Sequence, residues 1–227
     1  MRLQLTNTTD REGDVKEFAF QAPQGFTWVA GQYMHYVLTH DADDRGIERW
    51  FTISSAPSEN EIRITTRINH EHSSSFKEKL QALRPGDEIE ADGPEGDFVI
   101  QDPTRNYLFV AGGIGITPIR SMLVEAKAQG VQLNATLLYA NRNEAIPFRD
   151  ELDSLQMQNP SLKVEYIVSP DQLDAAKILE TAATIDNPLI YISGPKPMVK
   201  SLKQQLLDAG VEKQNLKTDN FPGYEGI

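Results

Sequence analysis

The chain has 227 residues with 33 acidic and 22 basic side chains, a formal charge of −11 that excludes nucleic acid as its main partner. It contains no cysteine, which rules out disulfides, cysteine zinc sites and a cysteine-ligated iron–sulfur cluster within it. With 39% hydrophobic residues, no apolar leader in residues 1–10 and no run of membrane-spanning length, it reads as a soluble, cytoplasmic chain of one large or two ordinary domains, with no membrane insertion.

Up to about Pro103 the pattern is that of strands. Phe18, Phe20 and Ala22 fall at period two after Val15, and Ile62, Ile64, Thr66 and Ile68 do the same. Turn signals separate such runs at Pro23-Gln24-Gly25, Ala30-Gly31, Ser58-Glu59-Asn60, Pro85-Gly86-Asp87 and Gly93-Pro94. One helix is predicted at residues 75–83, from Phe76, Leu80 and Leu83. Many short strands between frequent turns predict a closed antiparallel barrel.

After Pro103 the rhythm changes to strands alternating with helices. Strands are predicted at residues 107–111, 133–140, 164–168 and 189–193, and helices at 118–129, 147–157, 173–183 and 197–209. Gly130 and Gly210 stop two of the helices. Such alternation predicts βαβ units and a doubly wound parallel sheet. The chain thus divides into a β barrel over residues 1–103 and an α/β domain over 104–227, the boundary lying at Asp102-Pro103-Thr104-Arg105.

Gly112-Gly113-Ile114-Gly115-Ile116-Thr117-Pro118 links the first parallel strand to its helix. Glycine lets backbone turn tightly and approach a ligand without a Cβ in the way. Thr117 is predicted to cap the helix and Pro118 to sit in its first turn, leaving amide groups and the helix dipole for a phosphate. Pro118 stands where the G-x-G-x-x-G fingerprint has its third glycine.

This turn reads GGxGxTP and resembles the nicotinamide-binding motif of the ferredoxin–NADP reductase family. Three further segments carry the resemblance. Arg49-Trp50-Phe51-Thr52-Ile53-Ser54-Ser55 resembles the R-x-(Y/F)-(S/T) flavin motif, Ser193-Gly194-Pro195-Lys196-Pro197-Met198 the C-G-P-x-x-M motif with serine for cysteine, and Asp219-Asn220-Phe221 the E-x-F ending with aspartate for glutamate. Gly31-Gln32-Tyr33 resembles an early G-Q-(Y/F) segment.

The resemblance implies FAD, with FMN as the alternative, and NADH or NADPH as hydride donor. On the flavin side it implies Arg49 at the diphosphate, Phe51 against the isoalloxazine and Thr52 near N5 within a set that includes Trp50. It also implies Thr66 and Ile68 through their backbone, and Ser74 and Ser75 at the diphosphate. On the nicotinamide side it implies Gly112, Gly113, Gly115, Thr117, Pro118, Gly194, Pro195 and Met198. Asn141 and Arg142 follow the second parallel strand, Arg142 placed for a 2′-phosphate and Glu144 for a free ribose hydroxyl. Thr52, Ser193, Asp219 and Phe221 are the catalytic candidates, with Phe221 or Tyr224 covering the flavin.

Trp28 and Trp50 are read as packing residues. His70 and His72 lack a third ligand at suitable spacing, so no metal is expected. The function implied is transfer of hydride from NAD(P)H to FAD, with electrons passed to a separate acceptor, a ferredoxin or a haem protein. Two alternatives stand beside it: a reductase of free flavin, quinone or another small oxidant, and a non-catalytic flavin- or nucleotide-binding subunit.

Overall fold

Alternating side chains build the first sheet. β1 (Arg2–Asp10), β2 (Val15–Gln21), β3 (Tyr33–Val37), β4 (Glu48–Thr52), β5 (Glu61–Arg67) and β6 (Glu88–Glu95) pair antiparallel in the order β4-β3-β6-β1-β2-β5. The computed structural model describes residues 1–43, 45–68 and 73–221, Phe221 by its backbone alone. Leu3, Leu5, Phe18, Phe20, Met34, Tyr36, Ile62, Ile64 and Ile89 turn inward and form one core. The two edge strands meet just past β4. There the Ser54 N–H donates to Arg63 O at 2.9 Å, and the Ser54 and Thr65 hydroxyls share a bond of 2.7 Å. Closure of this kind leaves fewer unpaired edge groups. α1 (Ser75–Ala82) packs Phe76 and Leu80 into the same core.

The second sheet is parallel and fully buried at its centre. Its strands are β7 (Tyr107–Gly112), β8 (Ala135–Asn141), β9 (Leu162–Val168), β10 (Leu189–Pro195) and β11 (Leu216–Phe221), in the order β11-β10-β7-β8-β9. Every residue of β7 is buried. The helices α2 (Ile116–Ala128), α3 (Arg149–Gln158), α4 (Ala175–Ala182) and α5 (Lys196–Asp208) separate these strands. Two cores result, one on each face. Ile116, Ile119, Met122 and Leu152 lie in one, and Ile178, Val199, Leu202 and Leu206 in the other.

Some expectations need correction. α2 starts at Ile116, two residues before the expected start, and a 3₁₀ turn over Gly113–Gly115 precedes it. Thr117 is therefore inside the helix. Its hydroxyl donates to Ile114 O at 3.1 Å and caps nothing, because the N-cap position falls on Gly115. β11 was not anticipated. Its residues 217–220 are polar, but it runs parallel beside β10 with Ser193 opposite Asp219. Trp28 is buried as expected, whereas Trp50 is 47% exposed.

The barrel and the α/β layer are joined through buried polar groups. Phe98 and Ala30 pack into the α/β core, with Phe98 and Tyr191 rings 5.0 Å apart. Arg120 of α2 is 2% exposed and is the centre of the joint. Its guanidinium donates to Glu151 of α3 at 3.0 and 2.5 Å, to Glu59 at 2.9 Å with a second shorter bond, and to Ser54 O at 3.1 Å. Glu59 also accepts from Ala56 N and Arg63. Burial alone would lower the Arg120 pKa, but its bonds to Glu59 and Glu151 raise it. Burial alone would raise that of Glu59, and Arg120 holds it below the usual range. Ser121 Oγ adds a bond to Ser55 O at 2.7 Å, and Glu125 accepts from Ser58 N at 2.8 Å.

Removing one partner of a buried ion pair strands the others without water, at a cost of about 3–5 kcal/mol. Arg120→Ala is expected to lose that much stability, read as a lower urea midpoint. A loss below about 1 kcal/mol, the range of exposed ion pairs, would show that the joint is solvated.

Candidate functional site

The parallel sheet changes direction at one place. From β7 the chain steps to β8 and β9 on one side, then returns to lay β10 and β11 on the other. Connections from β7 and β10 therefore leave in opposite directions, and a crevice opens outside their carboxyl ends, the position where ligands bind in open α/β sheets. Gly112–Gly115 and Ser193–Pro195 stand at its floor. Asn141 ends β8 on one side, and Asp219 lies near the end of β11 on the other.

The glycines divide into two jobs. A Cβ at Gly112 would lie 2.6 Å from Met198 Sδ, and one at Gly115 would lie 2.4 Å from Ser193 O. One at Gly194 would lie 2.6 Å from Met198 Cε. These three glycines and Met198 let the ends of β7 and β10 touch, so they shape the crevice from below. Gly113 differs. It adopts φ 53°, and its missing Cβ faces Arg67 of the barrel at 3.4 Å. Tyr139 fixes the turn by donating its hydroxyl to Gly113 O at 3.1 Å.

Ser193 is fully buried and its Oγ has no hydrogen-bond partner. The side-chain amide of Asn141 is buried and unpartnered as well. Buried polar groups normally find partners, so two orphans at the ends of nearby strands mark a place for a polar ligand. Asp219 is half-buried in register with Ser193, and burial pushes its carboxyl up to about 6. Arg142 is exposed just past β8, and Glu144 is paired with Arg149 at 3.0 Å. Thr117 and Pro118 are buried within α2, and Pro195 stands at the N-cap position of α5 without a capping bond.

On the barrel side, β4 sends Arg49 and Phe51 to one face and Trp50 to the other. Phe51 packs beside the Phe76 and Tyr36 rings at 5.9 and 6.0 Å. Arg49 lies over Phe76 at 5.5 Å and donates Nη1 to Gly46 O at 3.2 Å, while its Nη2 is buried without a hydrogen bond. Trp50 instead packs against His35 with the rings tilted and 4.5 Å apart, and meets Tyr33 edge-on. It stands apart from Arg49 and Phe51. Thr52 is buried at the strand end. Ser74 is the N-cap of α1, its hydroxyl accepting from Lys77 N at 3.3 Å, and Ser75 opens the helix.

Thr66 and Ile68 are buried on the same alternation as Ile62 and Ile64, facing the barrel interior, and Ile68 N–H is taken by Asp14 O at 2.7 Å. Sequence reasoning gave Arg67 and Tyr139 no side-chain role. Alternation put Arg67 opposite Thr66, which was a legible signal; the reach of Tyr139 to Gly113 was not. His70, His72, Tyr224 and the Phe221 side chain lie outside the described residues. Among the described residues no group of three metal-ligating side chains occurs, and no helix is long and apolar enough to cross a membrane. A broad concavity among Asp102, Arg105, Asn187, Glu212 and Lys217 lies at the opposite, amino end of the sheet and holds no predicted site residue.

Comparison with known proteins agrees with this geometry. Residues 2–100 match an oxidoreductase FAD-binding domain, and residues 109–204 an oxidoreductase NAD-binding domain. Flavohemoprotein B of Dictyostelium discoideum is 26% identical over 91% of this chain and 56% of its own length. Ferredoxin–NADP reductase B of Sorangium cellulosum is 32% identical over 68% of this chain and 64% of its own. The chain spans about half the length of several curated flavohemoproteins that it matches. The ferredoxin–NADP⁺ reductase of Plasmodium falciparum superposes with a TM-score of 0.82 at 18% identity, covering 97% of this chain and 95% of that one, which establishes the two-sheet fold. By both domain matches and by this fold, the chain belongs to the ferredoxin–NADP reductase family of FAD- and nicotinamide-dependent oxidoreductases.

Proposed function

We propose that this chain takes hydride from NADH or NADPH onto FAD and passes the electrons to a separate acceptor, a ferredoxin or a haem protein. We place the division of labour at residues 103 and 104, with the reaction in the cytoplasm. The observation that carries the reading is the crevice between β7 and β10, where Ser193 and Asn141 keep buried polar groups unpartnered and the barrel presents Arg67. Relatives bearing the names flavohemoprotein and ferredoxin–NADP reductase support the two acceptor classes.

The residues divide the work. Arg49 Nη2 and the Ser74–Ser75 end of α1 hold the flavin diphosphate, and Phe51 lies against the ring. Thr52 offers its hydroxyl at the ring edge. Gly113 and Arg67 hold the nicotinamide dinucleotide phosphates from both sides of the crevice. Ser193 donates to the nicotinamide, Asp219 borders the same pocket, and Phe221 covers the ring until the nicotinamide arrives. FAD supplies the conversion of a hydride into electrons that leave singly; the chain supplies position and field.

Anaerobic addition of NADH or NADPH to the FAD-loaded protein is expected to bleach the flavin bands. Bound flavin that neither nucleotide reduces would favour the non-catalytic subunit, and turnover on quinone or free flavin but on no protein acceptor would favour the small-oxidant reductase. Past β8, Arg142 is exposed, and the likewise exposed Glu144 is paired with Arg149. Arg142→Ala is expected to weaken NADPH about tenfold in KM, as loss of one charge-assisted contact does, and to spare NADH; equal losses would remove Arg142 from 2′-phosphate recognition.

Asp219 gives a pH signature. Its carboxyl titrates near 6 when folded against an ordinary 3.8, so its contribution to stability is full below 3.8 and is lost as pH rises through 6. Asp219→Asn, which mimics the protonated form, is expected to melt higher than the parent above pH 6 and to converge with it below pH 3.8. A gap in Tm that stays constant across that window would free Asp219 of the effect.

A further inference from the structure

Arg49 and the start of α1, read above as the flavin diphosphate cradle, already share an anion. It is the carboxylate of Asp43, in the loop between β3 and β4. Its Oδ2 accepts from Ser75 N–H at 3.0 Å and from Arg45 Nε and Nη2 at 3.2 and 2.9 Å. Its Oδ1 accepts from Arg45 N–H at 3.0 Å and lies 3.9 Å from Arg49 Nη2. Ser75 Oγ in turn accepts from Asp43 N–H at 2.9 Å and meets His40 Nε2 at 2.9 Å.

Two guanidinium groups and the first amide of a helix thus converge on one carboxylate, the donor set that a phosphate also selects. Ser74 caps α1 through Lys77 N–H, so Asp43 is a second acceptor at the same helix end, and unlike Ser74 it also gathers Arg45 and lies beside Arg49. The Ser75 N–H, with Arg45, holds the Asp43 carboxyl below the usual carboxylate range, so the group stays an anion at neutral pH. Two anions cannot occupy one cradle without strong repulsion.

We propose that Asp43 is an internal competitor for the flavin diphosphate: it fills the Arg49–Ser75 cradle until the cofactor displaces it and frees Arg45 to join Arg49. The inference rests on the diphosphate reading of that cradle. It follows that flavin is held less tightly than the cradle alone permits, and that the Asp43 loop rearranges on loading.

FAD titration of apoprotein, followed by flavin fluorescence, tests both levels, with riboflavin as a probe that lacks phosphate. Asp43→Asn and Asp43→Ser are expected to tighten FAD about tenfold, the size of one charge-assisted contact, and to change riboflavin by less than about twofold. Arg49→Gln alone is expected to weaken FAD. If Arg49→Gln leaves FAD unchanged, the cradle reading fails and the proposal with it. If Arg49→Gln weakens FAD while both Asp43 variants bind it no better than the parent, the cradle stands and the proposal is overturned. Equal tightening of riboflavin also overturns it. The parent protein gives an independent readout: the amides of Asp43 and Arg45 are expected to lose hydrogen-exchange protection when FAD binds, and a gain in protection is contrary to displacement.

Discussion

Arg120 is the contact on which the geometry of the molecule rests. It sits one turn into the helix that follows the Gly113 turn, and it grips Glu59 and Ser54, just past the flavin motif on β4. In the function proposed above, a nicotinamide at one end of α2 and a flavin on β4 would have to meet face to face, and a misplacement of about 1 Å costs reactions of this kind dearly. A buried ion network is often no more stable than well-packed apolar residues of the same volume. What the guanidinium adds is direction: its planar fork matches two carboxylates from different elements only in one arrangement of barrel and sheet. Phe148 shows how firmly that arrangement is imposed. It keeps a left-handed φ of 63°, which a non-glycine side chain rarely adopts, between Arg11 and Arg120 at 5.1 and 5.6 Å from its ring.

The same economy of space appears at the crevice floor. Glycine at 112, 115 and 194 is explained by the neighbouring backbone and by Met198, without any ligand. Gly113 alone turns its bare face toward the barrel. A motif read as a single phosphate cradle is therefore mostly a packing device that brings two strand ends together, and in the reading proposed above the ligand would meet the turn itself, with Ser193 buried beneath it and Arg67 across the gap.

How far the sequence revealed this depends on the range of each interaction. β7 was legible because every one of its residues is apolar, and the barrel strands because their period of two is set by one buried face. The start of α2 was misplaced because Thr117-Pro118 is a strong local signal for a helix start, but the 3₁₀ turn winds the chain two residues earlier. β11 was missed because its Lys217-Thr218-Asp219-Asn220 run resembles a solvated tail; only pairing with β10 makes it a strand. Arg120 looked like any helical arginine, since Glu59 and Glu151 are distant in sequence. Trp50 was read as packing, rather than as a nucleic-acid platform, because of the chain's negative charge, but the strand alternation that turned Arg49 and Phe51 one way turned Trp50 the other and left it 47% exposed.

Polar groups that lack partners carry the rest. In a well-satisfied structure a buried hydroxyl or guanidinium nitrogen without a hydrogen bond costs about 1–3 kcal/mol. Ser193 Oγ, the Asn141 amide and Arg49 Nη2 bear that cost at three points around the two proposed cofactor sites. Ser193 and Asn141 leave theirs open, whereas Arg49 has its neighbour Asp43 close by at 3.9 Å. The difference follows from charge. A neutral orphan in the crevice can wait for its ligand at modest expense, but an uncompensated guanidinium beside Arg45 repels its neighbour and draws in the nearest carboxylate. The cradle best suited to an anion is thus the one that its own chain fills first.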